Sequence, residues 1–345
     1  MNNAFSGTPN FYRGKRVLVT GGLGFIGSSL AIALVRRGAR VRVVDSLIPG
    51  CGGNRQNLTG VESDVEVIEC DIADHLRVPL ALRGIELVFN LAGEISHAGS
   101  MANPVRDLEL NVFSQLRFLQ MCCSTCPGIR VVYTSTRQVY GAPQYLPVDE
   151  DHPIQPLDFN GVHKSTASQY HLLLTRLGRL DCSVLKLTNI YGPRMALHLS
   201  SQGFMAAFLR QADRGEQIRV FGDGRQLRDP VYIDDLVDCL LLSGQKEKPR
   251  RRTLNIGSPN SVSVLEIAQT LSRLAGLPKT LVVPFPEERQ MIDIGNYISH
   301  TGTAKDELGW EARTGLRSGL SKSLDYNRRL RLHAEASSLD RAVNL

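Results

Sequence analysis

A glycine cluster constrains the first third of this chain. Gly21-Gly22-Leu23-Gly24-Phe25-Ile26-Gly27 follows the apolar, β-branched run Val17-Leu18-Val19-Thr20. It opens a helical pattern with Ile26, Leu30, Leu34 and Val35 on one side. A second apolar run over residues 41–44 ends in Asp45, 18 residues after Gly27. Strand, tight turn, helix, strand and acid, in that order, form the dinucleotide-binding fingerprint in its proper context. Gly21 and Gly24 let the backbone turn and approach a pyrophosphate, and Gly27 lets the helix sit close to the sheet. The pyrophosphate would rest on the helix N-terminus, with Phe25 and Ile26 beside it, where unpaired N–H groups point outward. An acid at position 45 accepts hydrogen bonds from a ribose diol and repels a 2′-phosphate, so NAD is expected over NADP.

The pattern continues. Residues 65–69 read as a third strand, with Asp71 and Ile72 just beyond it, where an acid could reach an adenine amino group. Residues 87–91 read as a fourth strand that runs into Leu91-Ala92-Gly93-Glu94, small residues that permit a ligand to approach. A long helix over 107–123, a fifth strand over 130–134, a helix over 161–179 and a strand over 183–187 follow. The fold class is α/β, a Rossmann-type doubly wound parallel sheet with a smaller, interleaved C-terminal substrate-binding lobe. The expected division is a flexible arm over 1–13, a cofactor domain over 14–190, a lobe over 191–330 interleaved with it, and a frayed tail over 331–345.

With 345 residues and 42% apolar content the chain is globular, and its net charge of +6 is modest. The basic clusters at Arg250-Arg251-Arg252 and at Arg328, Arg329 and Arg331 read as solvated surface. No aromatic–basic groove accompanies them, so nucleic acid is not an expected partner. A mildly positive cleft suits a phosphorylated small ligand. No leader pattern and no 18-residue apolar run is present, which predicts a cytoplasmic protein without a membrane partner. Of seven cysteines, Cys122, Cys123 and Cys126 cluster at a helix end; without a second pair or a nearby histidine they read as buried thiols, and no metal site is expected.

Further motifs carry a resemblance. Residues 135–141 read S-T-R-Q-V-Y-G, residues 189–194 N-I-Y-G-P-R, and residues 220–235 VFGDGRQLRDPVYIDD, with Leu308-Gly309-Trp310 near the end. Together with residues 20–27, they resemble the extended short-chain dehydrogenase/reductase family, in its nucleotide-sugar branch of epimerases, dehydratases and decarboxylases. The resemblance implies that Thr136 hydrogen-bonds the reacting sugar hydroxyl and that Lys164 holds the nicotinamide ribose. It implies ribose and adenine contacts for Asp45 and Asp71. A substrate contact is implied for Asn189, and binding of the nucleotide diphosphate near Arg225, Arg228 and Arg289. A homodimer through helices 107–123 and 161–179 is also implied.

One departure stands out. The family's Tyr-x-x-x-Lys pair is here Asn160-Gly161-Val162-His163-Lys164. Asparagine has no titratable proton and cannot be the general base. The runs 160–164, N-G-V-H-K, and 90–97, N-L-A-G-E-I-S-H, resemble a sub-branch of epimerase-like proteins in which this asparagine is native. His97, at the end of the fourth strand beside Glu94, His163 on the Asn160 face, and Lys164 itself are the candidates for the proton transfer, since imidazole suits it near neutral pH. A second departure is Arg137-Gln138, where family dehydratases carry an acidic pair. Elimination by that route is not expected, nor is decarboxylation, which needs a glutamate-like helper in the same loop. C4 epimerisation of a nucleotide-diphosphate sugar, through a transient keto-sugar, demands least. A net dehydrogenase or reductase, and a silent NAD- and nucleotide-binding protein, are the alternatives.

Overall fold

A computed structural model describes residues 8, 10–199, 202–247, 249 and 252–343. In β1 (Arg16–Thr20), Val17 and Val19 pack into one apolar cluster and Leu18 into another, all fully buried. A strand apolar on both sides requires cover on both faces. On one face, α1 (Phe25–Arg36) supplies Leu30 and Leu34. β2 (Arg40–Asp45) and β3 (Val65–Glu69) extend the sheet. α2 (Arg77–Leu82) supplies Val78 and Leu82 to the opposite face, and β4 (Leu87–Asn90) follows.

The expected helix over 107–123 is not one regular element. α3 (His97–Ala102) and α4 (Pro104–Leu108) lead into a wide i→i+5 turn over Glu109–Phe113 and then into α5 (Ser114–Thr125). α5 covers the second face with Phe118, Leu119 and Cys122. β5 (Arg130–Thr136), α6 (Phe159–Arg176) and β6 (Asp181–Leu187) complete the alternation. Asp158 caps α6: its carboxylate accepts a hydrogen bond from the Gly161 amide at 2.6 Å.

The second half is built from β7 (Ile190–Tyr191), α7 (Phe204–Asp213), β8 (Arg219–Phe221), β9 (Leu227–Arg228), β10 (Val231–Tyr232) and α8 (Ile233–Gln245). β11 (Thr253–Ile256), β12 (Val262–Ser263), α9 (Val264–Ala275), β13 (Leu281–Val283), α10 (Glu287–Gln290), α11 (Gly302–Leu308) and α12 (Leu316–Val343) follow. The central sheet has seven parallel strands in the order β11-β6-β5-β4-β1-β2-β3. Strand order reverses at β1, which pairs β2 on one side and β4 on the other; Thr20 faces Val44 and Asn90. The crevice outside those strand ends is where such sheets bind ligands.

Two late elements return to the first half. β11 pairs with β6, and α8 packs on α1 through the shared core. The small sheets β7–β10, β8–β13 and β9–β12 shape the rest of the second half. At the N-terminus, where a flexible arm is expected, residues 10–13 form a turn; Tyr12 is buried and donates its hydroxyl to the Leu241 carbonyl. α12 continues helical to Val343, through the stretch expected to fray. Arg250 and Arg251 lie outside the described residues, whereas Arg252 ion-pairs with Asp181.

Candidate active site

One cavity of about 520 Å³ opens along the carboxyl ends of β1, β2, β4, β5 and β6. At one end lies the glycine turn. Gly21 has φ +64° and its amide donates to the Val44 carbonyl at 2.8 Å. A Cβ on Gly27 would stand 2.1 Å from the Gly21 carbonyl oxygen and 2.7 Å from Gly22 Cα, so only glycine lets α1 approach β1 this closely. Gly24 caps α1 without a side-chain hydrogen bond, and no acid stands in the first turn. The Gly24 amide donates to the Gly21 carbonyl at 3.1 Å, and the N–H groups of Phe25, Ile26 and Gly27, which the first turn leaves without helical partners, line the cavity as an anion site.

Asp45 lines the next stretch. Its two oxygens accept from the Leu23 and Leu47 amides, both at 2.9 Å, which fixes the carboxyl plane. Burial raises its pKa above the ordinary carboxylate range, against those two bonds; Glu69 adds to the rise. Asp71, Ile72, Leu91 and Ala92 also line the cavity. The end of β4 is held by Thr20, whose hydroxyl accepts from the Leu91 and Ala92 amides and donates to Asn90 at 2.7 Å.

The reacting end gathers Thr136, Lys164, His97, Glu94 and Asn160. A Cβ on Gly93 would meet Lys164 Nζ at 2.5 Å, so the glycine makes room for the ammonium group. Burial lowers the Lys164 pKa to about 8, against the pull of Asp107 and Glu94. Thr136 Oγ1 accepts from the Gln138 amide at 3.2 Å. Glu94 is already engaged, by the Ile95 and Ser96 amides at 2.8 Å each and by the Cys51 thiol at 3.0 Å. His97 Nδ1 lies 2.9 Å from Asp158 Oδ2, with the imidazole a third exposed and the carboxylate fully buried. Burial opposes ionisation of Asp158, but the His97 contact, the Gly161 amide and Gln138 together hold its pKa below the ordinary value.

Asn160 is a clasp. Its amide donates to the Glu94 carbonyl and to Asp107 Oδ2, both at 3.0 Å, and its main-chain N–H donates to Ser100 Oγ. His163 Nδ1 meets the other Asp107 oxygen at 2.7 Å. His163 is buried in this clasp and is not in the cavity wall, unlike His97. Arg225 is also outside the wall: its side chain is solvent-exposed, 3.7 Å from Asp223. Asn189, Arg228 and Arg289 line the far end with Phe204, Phe221 and Phe285. The Arg289 guanidinium lies 5.4 Å from the Phe221 ring centre. Sequence reasoning does not single out Asp158 or Asp293 for the site. Arg137 enters it only as a departure from the acidic pair, with no site role assigned. The cap position before α6 was the available signal for Asp158, and the place just past the end of β5 for Arg137.

Residues 17–257 match the NAD dependent epimerase/dehydratase family, and the chain belongs to it. It is 31% identical to the UDP-glucose 4-epimerase of Mycolicibacterium smegmatis, over 91% of this chain and 98% of that protein. It is 30% identical to UDP-glucuronic acid decarboxylase 1 of Xenopus tropicalis, over 91% and 72%. The structure of a UDP-glucose 4-epimerase from Thermotoga maritima with UDP-glucose superposes with TM-score 0.83 at 30% identity, covering 91% of this chain and 99% of that one. The cofactor is NAD, as the family is NAD-dependent, and the open α1 N-terminus and the fixed Asp45 carboxyl fit it. Among the described residues no helix is long and apolar enough to cross a membrane, and no cluster of three His, Cys, Asp or Glu could hold a metal ion.

Proposed function

We infer that this protein epimerises a UDP-linked sugar at C4, without net oxidation, and that His97 takes the proton of the reacting hydroxyl. The observation that carries this reading is one cavity joining the α1 N-terminus, Thr136, Lys164 and His97, and the Asn189–Arg228–Arg289 end. NAD, when bound, supplies a reversible two-electron oxidant. His97 is the imidazole at the reacting end: Asp158 Oδ2 stands 2.9 Å from Nδ1 and attracts positive charge there, although the two are not aligned as a hydrogen bond, and the other ring nitrogen is left to exchange a proton. Thr136 hydrogen-bonds the same sugar oxygen, and the Lys164 ammonium stabilises alkoxide character as the proton leaves. Asn160 keeps α6 registered on the Glu94 loop, so that Lys164 arrives in place. No carboxylic acid stands at positions 137 and 138 to drive elimination.

The test uses protein purified without added cofactor. Extracted NAD and interconversion of UDP-glucose and UDP-galactose, with no NADH accumulating, support the reading. Accumulating NADH with an oxidised sugar and no isomer would replace it with net dehydrogenation. His97→Gln is expected to lower the rate about 10²-fold or more while NAD is retained; an unchanged rate removes His97 from the role of base.

The assembly proposed with this function is a homodimer. Leu108 and Phe113, on α4 and the wide turn, and Val162 and Leu173, on α6, are exposed large apolar side chains. Such a patch is costly to leave in water. Sedimentation at micromolar concentration is expected to give a dimer, and Phe113→Asp with Val162→Asp a folded monomer; a monomeric parent contradicts the assignment.

A further inference from the structure

We propose that Arg137 is a specificity-determining residue that receives a carboxylate carried by the sugar, making a nucleoside-diphosphate uronic acid the preferred substrate. The inference rests on the reading of the cavity as a nucleotide-sugar site. Arg137 follows Thr136 at the end of β5 and bonds to Asn189, so it lines the wall between the reacting end and the far end. Its side chain is only 9% exposed. Nη2 donates to the Asn189 amide oxygen at 3.0 Å, and the guanidinium carbon stands 5.1 Å from the Tyr297 ring centre. Nη1 is buried without a hydrogen-bond partner, and among the described residues no carboxylate oxygen lies within ion-pair distance of this side chain.

The acids nearby make their hydrogen bonds elsewhere; the charges of Asp229 and Asp293 offset only part of what burial costs Arg137, whose pKa stays below its ordinary value. Asp229 is held by Thr188 and by the Ser299 amide. Asp293 lies 3.6 Å from Arg228 and accepts from the Gly295 amide. Arg228, itself 5% exposed, adds a second buried cation to the same wall. Its pKa falls to about 10, through burial first and then the charge of Arg137. A buried guanidinium whose fork meets only an amide carries a large desolvation cost, which an anionic ligand would offset. A fork of parallel N–H groups suits two carboxylate oxygens. Arg228 is held by Asp293 and by the Leu227 and Gly295 carbonyls, which leaves Arg289 for the diphosphate further along the cavity.

The experiment measures dissociation constants of UDP, UDP-glucose and UDP-glucuronic acid with the NAD-bound protein, for the parent, Arg137→Lys and Arg137→Gln. The parent is expected to bind the uronate more tightly than the hexose by about 10- to 100-fold, the range a charge-assisted hydrogen-bond pair supplies. Arg137→Gln is expected to erase that preference and leave UDP and UDP-glucose unchanged, and Arg137→Lys to keep part of it. Equal affinity of the parent for both sugars overturns the proposal without any variant. A loss that Arg137→Gln imposes equally on UDP assigns the side chain to the diphosphate and overturns it too. If UDP itself does not bind, the nucleotide-sugar reading falls, and this inference with it.

Discussion

Lys164→Met turns over about 10²–10³-fold more slowly than the parent, the loss expected when a buried charge is removed from a developing oxyanion. Methionine fills the space of the stem without the ammonium, in a site that is 6% exposed. The charge is also the source of a pH dependence whose sign follows from burial. Burial lowers the Lys164 pKa from 10.5 to about 8. The ammonium is intact below that value, so its contribution to the rate is lost as pH rises through about 8. Its contribution to stability runs the other way. Between about 8 and 10.5 the unfolded chain binds this proton and the folded chain does not, so stability rises with pH in that window. Rate profiles and melting curves of parent and Lys164→Met over this range separate the two. A Lys164→Ala protein that binds NAD and works at the parent rate defeats the proposed chemistry.

Gly27→Ala is the second large effect. A methyl group there meets main-chain atoms, the Gly21 carbonyl oxygen at 2.1 Å and Gly22 Cα at 2.7 Å, which no rotamer change relieves. α1 must lift from β1, at a cost of about 1–3 kcal/mol, and the turn that presents the unpaired amides is distorted with it. The expected result is a lowered Tm and no NAD retained through purification. Gly24→Ala is the control. Its Cβ meets only the Gly21 oxygen, at 3.3 Å, and the glycine lines the cavity. It should leave Tm close to the parent's while weakening NAD. Equal NAD content in Gly27→Ala and the parent would show that the close approach is not needed for the cofactor.

The glycine turn, Asp45 and the parallel sheet were legible because each depends on local pattern: a run that buries both faces and a spacing that sets a turn; Lys164 was singled out only by the resemblance of residues 160–164 to the family's Tyr-x-x-x-Lys pair. What the pattern does not encode is the direction a polar side chain takes once elements pack. By sequence His97, past the fourth strand, and His163, beside Lys164, both stand as candidate proton carriers, yet His163 turns toward Asp107 and His97 toward the cavity. Arg225 and Arg228 are three apart on one motif, and one is in solvent while the other is buried. The break at Glu109–Phe113 was hidden for a related reason: the apolar period runs on through it, and an extra residue in the turn shows only in the main-chain hydrogen bonds. Asn160 read as a missing base; its surroundings make it the donor that Glu94 and Asp107 require.

The pairing of β11 with β6 has a consequence for biosynthesis. Translation delivers β6 (Asp181–Leu187) well before Thr253–Ile256 exists to lie against it. During that interval the outer edge of β6 carries unpaired main-chain groups, the kind of surface on which nascent chains associate wrongly. Arg130, which reaches both Ser183 and the Ser243 carbonyl, likewise waits for α8 before its bonds are complete. Protection of the sheet of a ribosome-bound chain from proteases is therefore expected to appear only once residue 256 has cleared the exit tunnel.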